Sequence, residues 1–202
     1  MGVISPDRSV VGARGESPVQ HDLRAGVVRS IEILGTGFFT HGQNDALRRK
    51  LESNELSAED YFRQLVRVVY RLLFLFLAEG RGLLHPPEAG SAARARYDED
   101  LSVRRLRALV STTLGTDDCG LWRSLSRVTM CLGRTDGCAD LGLPGLGSFL
   151  WSSEATPNLP GPAPEHRGPP VAIRDRDLLD AVRVLCVQQQ AGDEAVPAEN
   201  DE

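Results

Sequence analysis

Of the 23 basic side chains in this 202-residue chain only Lys50 is lysine; the others are arginine. GC-rich codon usage explains such a bias without a phosphate-binding role for the guanidinium groups. The shortage also excludes a chemistry. The metal-dependent fold of many restriction nucleases needs an Asp and, further on, Glu-x-Lys to hold a metal and polarise water. Two places before Lys50 stands Arg48, so that signature cannot be assembled. A Ser/His/Asp hydrolase is excluded by the lack of a G-x-S-x-G elbow. Cys119, Cys131, Cys138 and Cys186 form no CxxC pair, and His21, His41, His85 and His166 are isolated along the chain, so zinc spacing is absent. Cys131 and Cys186 fall in helical patterns and read as core thiols.

Long apolar runs are missing too. The longest uninterrupted one is Leu72–Ala78, and Arg67 and Arg71 lie inside any window of about 20 residues that a bilayer requires, so no membrane span is expected. No apolar signal stretch follows Met1; residues 1–20 are rich in Gly, Ser, Pro and Arg, which predicts a disordered N-terminus and a cytoplasmic protein. The net charge of -5 comes from the tail Ala191–Glu202, which holds five carboxylates and no basic group; residues 1–190 are formally neutral. That balance argues against strong autonomous DNA binding, which usually shows a basic excess. No repeat of fixed period and no alternating strand pattern occurs.

What is present is helical periodicity. In Ser57–Glu79 the hydroxyl of Ser57 is placed as N-cap, Glu59 and Asp60 sit at the positive end of the helix dipole, and the helix begins at about Ala58. At about 100° per residue, Phe62, Leu65, Val66, Val69, Leu72, Leu73, Phe76 and Leu77 fall in one arc, and Arg63, Arg67 and Arg71 form a separate outward stripe. Phe74 and Leu75 point away from that arc, so the second half should be enclosed by neighbours. Shorter helices are expected at Asp22–Leu34, ended by Gly35; at Asn44–Ser53 with an Asn cap; at Ser102–Leu114, with Arg104 and Arg107 outward; at Cys119–Leu132; and at Arg176–Gln190. Gly80–Asp100 reads as a long surface connection with room for a short turn of helix in it, and the island Leu141–Trp151 as a plug whose Leu143, Leu146, Phe149 and Trp151 fill a gap. Residues 152–172 read as linker-like within a helical domain over 21–190, followed by a disordered acidic tail over 191–202. The expected fold class is mainly α: an irregular helical bundle around a central apolar helix, with Gly/Pro-rich loops and disordered termini.

Two strings resemble catalytic loops and fail in context. GTGFF (Gly35–Phe39) has the Gly-x-Gly-x-Phe shape of an S-adenosylmethionine turn, but the preceding stretch fits a helix and Ile31 stands where an acidic residue is usual. HPPE (His85–Glu88) resembles the Asn-Pro-Pro-aromatic loop of amino-methyltransferases with both specific positions wrong, which predicts a structural loop. Asp98, Glu99 and Asp100 read as a solvated acidic face.

Taken in order, LGTGFF, then NDALRRKLESNELSAEDYFRQLVRVVYRLLFLFLAEGRGLLHPP, then DCGLWRSLSRV and LGLPGLGSFLW resemble the N-terminal region of large adenine-specific DNA methyltransferases of the fused restriction-modification type and of phage-defence systems such as DISARM. The resemblance runs from about Arg24 to about Val187. It implies a helical region that precedes a methyltransferase domain, packs against it and helps hold DNA or a partner subunit. The family's cofactor and target-base loops lie downstream and have no matching positions here. No catalytic or cofactor-binding residue is therefore carried over, and S-adenosylmethionine is expected only in the missing domain. The implied state is a truncated, split or remnant module that is not an enzyme on its own. Its partners would be a methyltransferase domain or subunit and possibly duplex DNA, with Arg63, Arg67, Arg71, Arg104 and Arg107 as DNA-contact candidates. Two alternatives stand beside it: half of a split methyltransferase active only with a partner chain, and a stand-alone interaction module whose apolar Leu72–Leu77 surface meets a partner helix.

Overall fold

The computed structural model describes residues 18–161 and 170–193, and it is mainly helical. Most of the two ends expected to be disordered, and residues 162–169 of the linker-like stretch, lie outside the described residues. Seven α-helices are described: α1 (Pro18–Thr40), α2 (Asp45–Glu52), α3 (Ala58–Gly80), α4 (Ser91–Asp100), α5 (Val103–Thr112), α6 (Gly120–Gly133) and α7 (Asp175–Asp193). Among these residues there is no strand, only an isolated antiparallel bridge between Cys138 and Leu143. One contiguous core runs from Ile31 in α1 to Leu185 in α7. The most extensive pairing is α1 along α7, with α3 beside α1 and α5 and with α6 against α7. The closest pairing thus joins helices from distant parts of the chain.

α1 does not end at Gly35. It continues to Thr40, and its glycines are where neighbours come closest. A Cβ on Gly35 would stand 3.0 Å from Leu65 Cδ1, and one on Gly37 would stand 2.8 Å from Ile173 Cδ1. Tyr61 donates its hydroxyl hydrogen to the Gly35 carbonyl at 2.8 Å. The glycines of GTGFF admit helix neighbours, and the close approach offsets their unfavourable helix propensity.

Asn44 precedes α2 but does not cap it with its side chain. The buried amide donates to Phe38 O at 2.8 Å and Ala172 O at 2.7 Å and accepts from Ala172 N at 2.9 Å. It fastens the end of α1 to a segment 128 positions away in the chain from Asn44, where Val171, Ala172 and Ile173 are buried. The 152–172 stretch is therefore no linker where it is described: Ala155, Thr156 and Leu159 are buried as well.

The stretch read as a surface connection contains α4, whose Ala93 and Tyr97 enter the core. The HPPE loop before it is clamped by Arg94, which donates to Pro86 O, Pro87 O and Ala89 O. The Asp98–Asp100 run is exposed, as expected. Cys131 is not a free thiol. It is joined in a disulfide to Cys138, with Cα atoms 5.2 Å apart, whereas Cys119 and Cys186 are free. In the island, Leu143 and Trp151 are buried, but Leu146 and Phe149 face outward.

Candidate functional site

α3 begins where its cap predicts: the Ser57 hydroxyl accepts from Asp60 N at 3.0 Å. Its inward arc, however, is rotated by roughly a quarter turn at about 100° per residue. Leu65, Val68, Val69, Leu72, Leu75 and Phe76 are buried together with Gln64, Arg71 and Glu79. Phe62, Tyr70 and Leu77 are 51%, 53% and 51% exposed, and Phe74 lies beside them. With the half-buried Val66 and Leu73 between them, they form an apolar stripe along the helix. α3 thus turns three polar side chains inward and four large apolar ones outward.

The buried polar groups are held by distant partners. Glu79 accepts from Val103 N and Arg104 N at 2.8 Å each and from the Tyr97 hydroxyl, so a carboxylate at the end of α3 caps the start of α5. Burial, then the adjoining Glu79 charge, holds the Tyr97 hydroxyl protonated well above the usual tyrosine range. Gln64 accepts from Asn158 N at 2.8 Å. Arg71 donates to Leu150 O (2.7 Å), Ser152 O (3.1 Å) and Thr156 Oγ1 (3.0 Å), binding the turns at Phe149–Ala155 to the helix.

The five arginines picked out as DNA contacts therefore do not form one surface. Arg71 is 5% exposed and faces inward, against the expected outward stripe. Arg67 donates to Ala155 O at 2.7 Å and lies 5.2 Å from the Phe149 ring centroid. Arg107 stacks 4.4 Å from the Phe76 centroid. Arg63 is exposed and pairs with Glu59 and Asp60 on its own helix. Arg104 is exposed on α5. Only a fold shows this sorting, because the carbonyls that draw Arg71 inward lie about 80 positions later in the chain.

Beside Arg71 is a cavity of about 230 Å³ between α3, α6 and the Phe149–Ala155 turns. Trp122, Met130, Trp151 and Leu159 form its apolar walls, and Ser126 and Thr156 also line it. Sequence periodicity gives no sign of this cavity, whose walls come from four separate segments.

A second grouping brings together residues isolated in sequence. Cys119 Sγ lies 3.4 Å from His41 Nε2, a separation at which a thiol and an imidazole can act as nucleophile and base. The geometry opposes that chemistry. His41 Nδ1 accepts from Gln43 N–H at 3.2 Å, so in the neutral ring Nε2 carries the proton and cannot take one from the thiol. Burial, then the neighbouring Asp175 carboxylate, pushes the Cys119 thiol up, away from thiolate. Burial and the Arg174 charge lower the His41 pKa. Among the described residues, no three His, Cys, Asp or Glu side chains are grouped to hold a metal ion. No described helix is long and apolar enough to cross a membrane.

Compared with protein-family models, curated proteins and solved structures, the chain matches none.

Proposed function

We propose that this chain is a non-catalytic helical module that packs on a DNA-adenine methyltransferase domain through the outward face of α3, as the resemblance to the N-terminal region of such enzymes implies. The observation that carries the reading is the stripe Phe62, Tyr70, Phe74 and Leu77, exposed along the whole helix. Contiguous exposed apolar surface of this kind marks a protein interface, and its aromatic content is that of an interface core. The catalytic loops and S-adenosylmethionine belong to the partner in this reading, and the cytoplasm is the location proposed for both. Contact with duplex DNA falls to the exposed Arg63 and Arg104, with Arg67 at the margin.

The test is co-production with a methyltransferase chain from the same locus that carries the Gly-rich and Asn-Pro-Pro-aromatic loops. The two should co-purify and methylate adenine faster than the partner alone. The variant Phe62→Ser/Tyr70→Ser/Leu77→Ser should abolish both effects while leaving the melting temperature unchanged. Partner-independent binding of S-adenosylmethionine in calorimetry would overturn the reading, as would co-purification indifferent to the triple variant. Filter binding to duplex DNA across a salt series, with Arg63→Ala and Arg104→Ala, tests the DNA contact; no retention at low salt would remove it.

A further inference from the structure

We propose that the cavity beside Arg71 binds a small organic carboxylate, its charged end on the guanidinium and its body between Trp122 and Trp151. This stands apart from the docking reading, since none of Phe62, Tyr70, Phe74 and Leu77 lines the cavity.

Arg71 is a buried cation whose partners are all neutral: two carbonyls and a hydroxyl. Among the described residues no carboxylate pairs with it, and the nearest influential charge is Arg67, of the same sign. Burial, with Arg67 adding to it, lowers the Arg71 pKa to about 10. A guanidinium has five N–H donors; three are engaged here, which leaves two. A buried charge without a counter-charge is costly, and an anion seated against it removes that cost.

The rest of the wall is complementary to the same ligand. Ser126 Oγ is buried without a hydrogen-bond partner and lines the cavity from α6. Thr156 Oγ1 accepts from Arg71, so its own hydrogen remains to be donated. The cavity therefore offers N–H and O–H donors, and a carboxylate supplies acceptors in the planar pair that a guanidinium matches. Its volume equals that of seven or eight waters at about 30 Å³ each and lies below the usual range for drug-sized ligands. A ligand of the size of benzoate fits that space. The second guanidinium on the lining, Arg134, is paired with Asp136, and the apolar walls favour a monoanion with an apolar body over inorganic phosphate.

Both tryptophans of the chain, Trp122 and Trp151, line the cavity, so their fluorescence reports its occupancy. The full chain is titrated with benzoate, with its uncharged analogue benzamide and with inorganic phosphate at constant ionic strength, and its melting temperature is followed in parallel. Benzoate should give a saturable fluorescence change and a higher melting temperature, with benzamide and phosphate each weaker by about tenfold or more, as loss of a charge-assisted hydrogen bond implies. Arg71→Met should remove the preference for benzoate over benzamide. Because Arg71 also fastens the turns, Ser126→Ala serves as the second variant: it should weaken benzoate severalfold without shifting the melting temperature of the free protein. No saturable benzoate signal, equal binding of benzamide, binding of phosphate as tight as benzoate, or a benzoate affinity unchanged in Ser126→Ala would each overturn the assignment.

Discussion

The two faces of α3 reverse the usual relation between side chain and surroundings. The inner face holds Gln64, Arg71 and Glu79, each fixed by backbone groups from segments far along the chain, while the outer face shows Phe62, Tyr70, Phe74 and Leu77 to solvent. The comparison teaches that the buried polar groups serve the fold, because they bind loops and helix ends from distant parts of the chain. Of the outer groups Phe74 also packs edge to face on the buried Trp151, while Phe62, Tyr70 and Leu77 are each about half exposed; in the proposed reading these are the surface kept for another molecule.

If the inner face is structural, breaking it should be severe. Arg71→Ala takes one donor each from the Leu150 carbonyl, the Ser152 carbonyl and the Thr156 hydroxyl, and should cost about 3 kcal/mol or more in urea unfolding. Glu79→Gln weakens the cap on α5 and the tie to Tyr97, and should cost about 2 kcal/mol by the same measurement. Gly37→Ala tests the tight seam between α1 and Ile173, where overpacking should cost about 1–3 kcal/mol; a neutral or stabilising result would contradict the close approach. A smaller effect appears only in alkali. Burial raises the pKa of Tyr61 as it does that of Tyr97, so the folded chain keeps protons that the unfolded chain releases near the ordinary tyrosine value of about 10. That stability is complete below about pH 10 and is lost as pH rises beyond it, and phenolate absorbance should appear together with unfolding. On the outer face, Phe62→Ser, Tyr70→Ser and Leu77→Ser should each change stability by less than about 0.5 kcal/mol. A large loss there would erase the contrast between the faces.

Much of the helical architecture was legible. Ser57 with Asp60 fixes the start of α3, Ser102 caps α5 by accepting from Arg105 N, and the periodic Leu121, Leu125, Val128 and Leu132 of α6 are all buried. What periodicity could not show was which polar residues would find partners. A pattern that sorts charged from apolar residues places Arg71 outside, since the carbonyls at 150 and 152 that draw it inward are invisible from its neighbours. The same holds for Asn44, whose position before a helix suggested a cap while its amide reaches Ala172. Gly35 and Gly37 read as a helix end because glycine seldom lies inside a helix unless another chain segment needs the room. The cavity and the pair Cys119–His41 were illegible for a simpler reason: their members meet only after α1, α3, α6 and the turns near 150 have packed.

A photo-crosslinking amino acid placed at Tyr70, with exposed Arg49 on α2 as control position, tests the outer face most directly in cells that also make the methyltransferase chain. A docking stripe predicts an adduct between position 70 and the methyltransferase domain and none from position 49. No adduct at position 70, or equal adducts from both, would contradict it.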